Sequence, residues 1–435
     1  MRIAKFDTTK WDEGLEAWKG ILKYRKEKKQ PSASQMKYYE LYIEYLEALK
    51  LARSEGKFIV VHSTSIPAEI FAAMDVTQVV AVGTCFAISQ CIKDFKTTLE
   101  AAKDYGITNE LCSAHRNILG HTLKGWLPKP NAIVDIGCGC DAFANSLKIT
   151  ADLYDTPHYH VDAPQRYSQE AVKYLANEFK NLNNFLEKET GRKFDWDKLK
   201  EGIRHSEKMI ELSKEVRELR KAVPSPMDNR RSWETNWINW FFSGSQKGID
   251  YWTVLRDELK ERVAQGRSAY PGVKEKFRVL ELFMAPAHFI KAYEWIQRDY
   301  GVNVVSEVLI HYEDFEMDPD KPLESLALRW FKGPLMSALS GSAEVMVEMA
   351  VREAKEMNAD GAIWWDNFSC RQAGVIKLVI DALAERVGIP CARIDCDITD
   401  PAYTTEEAMK KELLDFLEVL EIRKELVMFK SSILS

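Results

Sequence analysis

The chain has no apolar run long enough to cross a bilayer, which takes about 18–20 consecutive residues. A membrane-spanning helix is therefore not expected. Its first residues, MRIAKFDTTKWDEG, turn polar and acidic at once and lack an apolar h-region, so a secretory signal is not expected and a cytoplasmic protein is. Strong basic character is missing too. The formal net charge is -6, which argues against a general binder of nucleic acid or of acidic membranes. Neither G-x-G-x-x-G nor G-x-x-x-x-G-K-[ST] occurs, so the chain carries no dinucleotide fingerprint and no P-loop. A C-x-x-C ladder is also absent, which excludes a zinc ribbon and a bacterial-type ferredoxin.

What is there is an ordinary globular balance, 46% hydrophobic and 29% charged, over 435 residues. That is too long for one core, so two or three domains are expected. Residues 1–55 form a charged helical segment in which Leu41, Ile43, Tyr45, Leu46 and Leu49 make an apolar stripe. The basic run Lys23–Lys29 is a solvated helix face. From residue 57 the texture changes. KFIVVHST (57–64), VVAVGT (79–84), AIVDIG (132–137) and HYHVDA (158–163) read as buried strands, with helices at 67–75, 92–105 and 114–125 between them. Residues 166–265 lose the strands and read as helices, broken near Pro224 and Pro226. Strands return at 278–285, 302–309, 361–366 and 391–398, with helices at 287–299, 342–357, 371–387 and 404–426.

This alternation predicts an α/β protein with two doubly wound parallel-sheet domains, flavodoxin- or Rossmann-like, linked by a helical segment. The expected divisions are 1–55 (helical), 56–165 (first α/β domain), 166–270 (helical) and 271–435 (second α/β domain). The Trp-rich stretch 233–252 supplies either an apolar contact surface or the core of the helical part.

Eight cysteines in a reducing compartment are thiols, thiolates or metal ligands rather than disulfides. Open parallel sheets bind ligands at the carboxyl ends of their strands. Cys85, Cys138, Cys140 and Cys370 follow predicted strands, and Cys112 opens a predicted helix. Cys91, Cys391 and Cys396 have weaker positions. Each thiol has a plain alternative as a small buried filler. Thiolates from two domains could hold a cluster. Three of them on a [4Fe–4S] cube leave one iron open as a Lewis acid. Zinc held by three cysteines and His115 or His121 is the plain metal alternative.

Several segments together resemble a known family. These are Ile66-Pro67-Ala68-Glu69-Ile70 with Ala72-Ala73-Met74-Asp75-Val76, then Glu110-Leu111-Cys112-Ser113-Ala114-His115-Arg116, then Cys140-Asp141. Asp360-Gly361-Ala362-Ile363 leading to Phe368-Ser369-Cys370, Gly388-Ile389-Pro390, Asp395-Cys396-Asp397 and Phe416-Leu417-Glu418 follow in order. In roughly residues 57–165 and 278–425 the chain resembles the 2-hydroxyacyl-CoA dehydratase / benzoyl-CoA reductase family, D-component type. It departs from many relatives at Gly83-Thr84-Cys85, where they have a Pro-Glu-Asn-type segment, and in the additional thiols Cys138, Cys391 and Cys396.

The resemblance implies a [4Fe–4S] cluster on Cys112, Cys140 and Cys370, and an ATP-driven radical reaction of an acyl-CoA. An ATP-dependent iron–sulfur activator would deliver one electron at low potential, giving a ketyl radical anion that expels the hydroxyl of a 2-hydroxyacyl-CoA. A second related subunit would complete the enzyme as a heterodimer or homodimer. A branch of the family holds a double-cubane [8Fe–9S] cluster, for which Cys85 and Cys138 are the first additional ligands. Glu69, Ser65 and His115 are the candidate catalytic groups. Glu69 is also readable as a first-turn glutamate favoured by the helix dipole, and Asp141 as a helix cap. Three readings stand at this point: the dehydratase, a reductase of the same family, and a zinc-stabilised α/β scaffold.

Overall fold

Short β-branched runs such as Ile59-Val60-Val61 cannot hide an apolar face in an amphipathic helix, and they pair as central strands buried on both sides. The computed structural model describes residues 4–29, 31–137, 140–307, 312–334 and 341–434. In chain order the elements run α1 (Thr9–Lys26), α2 (Ala33–Ala52), β1 (Ile59–His62), α3 (Ala68–Ala73), β2 (Thr77–Val80), α4 (Ala81–Ile92), α5 (Lys96–Asp104), α6 (Ser113–Leu123), β3 (Ala132–Ile136), α7 (Asp141–Tyr154) and β4 (His158–Val161). Four helices follow: α8 (Gln169–Thr190), α9 (Trp196–Leu219), α10 (Arg231–Phe242) and α11 (Gln246–Ala264). The remainder is β5 (Phe277–Glu281), α12 (Lys291–Tyr300), β6 (Val302–Glu307), α13 (Pro322–Lys332), α14 (Ala343–Glu356), β7 (Gly361–Asn367), α15 (Ile376–Arg386), β8 (Cys391–Cys396) and α16 (Glu406–Leu434).

The strands make two four-stranded, all-parallel sheets, ordered β2-β1-β3-β4 and β6-β5-β7-β8. Both follow the doubly wound order in which the chain reverses direction beside the first strand, as the sequence predicts. The crevice for a ligand then opens beyond the carboxyl ends of β1 and β3 in one sheet, and of β5 and β7 in the other.

The chain divides into two compact units. The first comprises Met1–Val216, Glu234–Glu258 and Ile310–Ser342, and the second Arg217–Trp233, Leu259–Leu309 and Ala343–Ser435. The segment expected to be a separate helical part, 166–270, is thus shared between the two sheets' units. In the first unit, Leu175, Phe179, Leu182 and Leu186 recur along α8 at helical spacing and are fully buried with Val60, Ile70, Leu326 and Trp330. Each such side chain contributes about 1.5–3 kcal/mol of transfer free energy. In the second unit, Phe416 and Leu420 of α16 press on Gly361, where a Cβ would come within 2.8 Å of the Phe416 ring.

One strand expectation is corrected. The run 79–84 leaves the sheet at Val80, and Ala81 begins α4. This helix is buried on nearly all sides, so its apolar run lacks the polar face that separates helix from strand in a sequence. Gly83 lies flat against α10, where a Cβ would come within 2.4 Å of Phe241 and 2.5 Å of Trp237. Trp233, Trp237 and Trp252 are buried, so these tryptophans serve the cores rather than an exposed contact surface. Among the described residues, no helix is long and apolar enough to cross a membrane.

Candidate functional site

In the first unit the carboxyl edge of the sheet gathers a compact set of groups. The chain leaves β1 through Ser63, Thr64 and Ser65 into α3. Ser65 is half-buried in this turn, and the Ser63 hydroxyl is buried with no hydrogen-bond partner among the described residues. Beyond β3, Cys140 is the N-cap of α7 and Asp141 its first helical residue, so the thiol takes the place expected of the Asp141 cap. Cys112 is the N-cap of α6. Its carbonyl accepts from the N–H groups of His115 and Arg116 at 3.0 and 3.1 Å. Arg116 is buried, and its guanidinium donates to the Leu111 carbonyl (2.9 Å) and to Asn109 (3.2 Å), which fixes the loop that presents Cys112.

His115 links the two thiol positions. It lies one turn into α6 from Cys112, and its Nε2 is 3.2 Å from the Cys140 sulfur. Nδ1 faces Ser146 at 3.5 Å, and Phe143 packs on the ring. Burial pushes the His115 pKa down to about 4, so the ring is neutral at pH 7. His121 is committed elsewhere, at 2.8 Å from Ser89 and edge-on to Trp126.

In the second unit, β7 ends at Asn367, and Cys370 caps the 3-10 turn Arg371–Val375. Ser369, just before it, has φ of 62°, a left-handed conformation costing about 1–2 kcal/mol for a residue with a Cβ. Such strain persists where surrounding structure holds it, and functional loops are a usual place. The Asn367 amide donates to the Met284 carbonyl (2.9 Å), tying the loops after β5 and β7 together.

Cys112, Cys140 and Cys370, each half-buried, therefore occupy the N-cap positions of helical segments, Cys140 and Cys370 just beyond β3 and β7. A helix N-terminus favours a thiolate, the form that ligates metal. The remaining described thiols are Cys91, half-buried near the end of α4, and three that burial pushes towards the neutral form. Cys85 lies inside α4 and is fully buried, which pushes its pKa up. Cys391, at the start of β8, is pushed up to about 12, and Cys396 is also raised by burial. The expectation that Cys85 follows a strand end is thus corrected, since the strand stops five residues earlier. Cys138 lies outside the described residues. Among the described residues, no group of three or more His, Cys, Asp or Glu side chains is placed to hold a metal ion.

The family model for the 2-hydroxyglutaryl-CoA dehydratase D-component matches residues 63–420. The chain belongs to this family. Within it, the chain is 26% identical over 336 residues to the (R)-phenyllactyl-CoA dehydratase alpha subunit of Clostridium sporogenes, covering 75% of this chain and 81% of that one. It is 22% identical over 396 residues to the (R)-2-hydroxyisocaproyl-CoA dehydratase alpha subunit of Clostridioides difficile, covering 88% and 95%. A benzoyl-CoA reductase subunit of Thauera aromatica is 23% identical over 318 residues, covering 68% and 72%.

In this D-component family member, Glu69 is not open to solvent. It is buried at the start of α3, where Arg329 of α13 grips both its oxygens and Ser206 of α9 donates to one. Arg329 also donates to Ser206 (2.8 Å). Gly244, at φ of 71°, lies so close that a Cβ would come within 2.3 Å of Glu69 Cγ. As placed, Glu69 ties α3, α9 and α13 together. Beside it Ser206, Asn239, Ser243, Tyr312 and Arg329 line a cavity of about 10 Å³, room for about one water.

Arg329, Ser206 and Gly244 escape sequence reading, because they meet Glu69 from positions more than 130 residues away. Asp135, between His158 and His160 across the β3–β4 ladder, was also missed. Its signal was available: H-x-H on a strand puts both rings on one face.

Proposed function

We propose that this chain is the cluster-bearing subunit of a 2-hydroxyacyl-CoA dehydratase, removing water from an (R)-2-hydroxyacyl-CoA after one-electron activation. The observation that carries this reading is the sorting of the thiols. Cys112, Cys140 and Cys370 stand at the N-cap positions of helical segments, whereas burial pushes Cys85, Cys391 and Cys396 towards the neutral thiol and Cys91 lies within α4. The relatives named as dehydratase alpha subunits support the substrate class.

Cys112, Cys140 and Cys370 would hold a [4Fe–4S] cluster, which supplies one-electron reduction and Lewis-acid binding of the thioester oxygen. The chain's own groups do the rest. The His115 N–H is placed to donate to the Cys140 sulfur, an interaction that orients a ligand and tunes its electron density. In this reading His115 is a positioning residue for the Cys140 ligand. Ser63 and Ser65 stand at the crevice beyond β1, where their hydroxyls can accept or donate to the substrate's polar end. Glu69 sets the start of α3, and hence this turn, through its pair with Arg329.

A second, related subunit and a separate ATP-dependent iron–sulfur activator belong to this reading. The names "alpha subunit" among the relatives support the first. Val419, Ile422, Leu426 and Phe429 recur at helical spacing along α16 and are exposed, an apolar stripe that a companion subunit would cover.

Anaerobic purification with iron, sulfide and zinc counted per chain tests the proposal. About four irons per chain, lost in Cys112→Ser, Cys140→Ser and Cys370→Ser but kept in Cys85→Ser, is the expected result. Zinc alone, or no metal under strict exclusion of oxygen, overturns it. The similarity to a benzoyl-CoA reductase subunit favours one further reading, a reductase of the same family. About eight irons would favour its double-cubane form, with Cys138 as a further ligand.

A further inference from the structure

The second unit contains an acidic pair that the proposed chemistry does not use. Glu281 closes β5 and Glu307 closes β6, and the two are register partners in the parallel ladder, so their side chains leave the sheet on the same face. Glu281 is 5% exposed and Glu307 2%. One cation, paired with Glu307, lies beside the pair. Arg220, 2% exposed, lies with Nη2 2.6 Å from Glu307 Oε2, and the same nitrogen donates to the Val304 carbonyl at 2.9 Å. Arg220 Nε, both oxygens of Glu307 and Oε1 of Glu281 have no hydrogen-bond partner among the described residues.

The surrounding charges are spent elsewhere. Arg278 pairs with Glu275 (2.8 Å), and Arg217 with Glu353 (2.7 Å), to which Ser306 also donates. From α12, the Tyr293 hydroxyl accepts from the N–H of Ala285. On the other side of β5, the residue opposite Glu281 is Ile363. Two enclosed carboxylates facing one guanidinium would leave an unbalanced negative charge in a low-dielectric interior, and like charges that close cannot both ionise. Burial first, and Glu307 second, push the Glu281 pKa well above the ordinary carboxylate range, against weaker pulls from the Ala285 N–H and Arg220.

We propose that Glu281 and Glu307 share one exchangeable proton at neutral pH, held on Glu281, which makes this carboxyl edge a proton-holding site. To give the proton up, the Glu281 O–H bond breaks and leaves a carboxylate, and the acceptor gains one proton; recharging reverses this from solvent. No oxidant or reductant enters. The site closes the strand next to β7, whose following loop carries Cys370, so it stands at the edge where a substrate's proton would be exchanged. Holding the proton does not depend on the dehydratase reading.

The test uses the full chain, with Glu281→Gln and Glu307→Gln as near-isosteric variants. Infrared spectroscopy of the wild type at pH 7 should show the carbonyl band of a protonated buried carboxyl, and Glu281→Gln should lose it. The pH dependence of thermal unfolding gives an independent reading. A raised folded pKa means that the folded chain keeps a proton that the unfolded chain releases above the ordinary value of 4.5, so stability falls as pH rises from there towards the folded pKa. Glu281→Gln should remove one proton from that slope and leave the midpoint at pH 7 equal or higher. In Glu307→Gln the repulsion is gone while burial, the larger cause, remains, so the band should persist at pH 7 and disappear at a lower pH than in the wild type. No protonated band in the wild type at pH 7, a band that survives Glu281→Gln, or a lower midpoint with an unchanged slope each overturns the proposal. None of these outcomes depends on the iron count, so the two proposals fail separately.

Discussion

The two sheets have the same strand order and opposite chemistry at their carboxyl edges. The first presents Cys112, Cys140, a neutral His115 and serine hydroxyls. The second presents one thiol, Cys370, and a buried acidic pair, Glu281 and Glu307. The backbone plan is therefore indifferent to chemistry. It sets where side chains converge, and the residues at the strand ends decide what converges there. Their buried charges differ as well. In the first unit Glu69 has an arginine gripping both oxygens, whereas in the second unit Arg220 pairs with Glu307 and Glu281 has no ion pair among the described residues.

The largest effect expected from breaking this contrast is on metal content. Cys140→Ser or Cys112→Ser removes a ligand from the first edge and Cys370→Ser from the second, and each should abolish the bound iron measured per chain. Cys85→Ser, in the buried interior of α4, should leave the iron count unchanged and cost only packing.

Next comes charge burial. Arg329→Met strands Glu69 without its cation and should destabilise the first unit by about 3–5 kcal/mol in chemical denaturation. Arg393→Met, which breaks the pair with Asp366 in the second unit, should cost no more than about 1 kcal/mol, because the arginine is 61% exposed and screened by water.

Acid response sharpens the comparison further. Burial holds His62 at about 4 and His121 at about 3 in the first unit. Both are neutral in the fold, while the unfolded chain takes up protons below the ordinary value of 6.5. Stability contributed by their neutral burial is fully present above 6.5 and is lost as pH falls towards the folded values, by about 1.4 kcal/mol per pH unit and ring. His288 in the second unit, held at about 4, acts in the same direction. Only the second unit also carries Glu281, which acts in the opposite direction. Denaturation between pH 4 and 7 should show His121→Gln flattening the acid slope. The smallest effect belongs to Lys124→Ala and Lys129→Ala, exposed side chains whose loss should shift stability by about 0.5 kcal/mol or less and leave the iron count alone.

Much of the fold was legible. The strand runs expected from β-branched texture at 57–64, 132–137, 158–163, 302–309, 361–366 and 391–398 lie within two residues of the observed limits, and the helical stretch 166–265 breaks where Pro224 and Pro226 stand. The run 278–285 begins as expected but leaves the sheet at Glu281. The exception was 79–84, where a helix buried on almost every side shows the same apolar run as a strand. The second miss was α13, in a stretch that carried no assigned element, although Pro322 at its first turn is a start signal. Among the candidate site residues, the helix starts at Cys112 and Cys140 and the strand end before Cys370 were marked locally. Glu69 was readable as a catalytic carboxylate or a first-turn helix glutamate, and its partners Arg329 and Ser206 leave no trace near it in the chain.

The sequence by itself determined the α/β class, the two parallel sheets and the positions of most of their strands. Those properties follow from local periodicity, which a strand or a helix carries within about ten residues. Only the tertiary structure decided which carboxylates are paired, which histidines are neutral and which thiols are sealed away. Those properties depend on burial and on partners that the fold brings from far along the chain, as Arg329 to Glu69 and Arg220 to Glu307, and no local pattern encodes them.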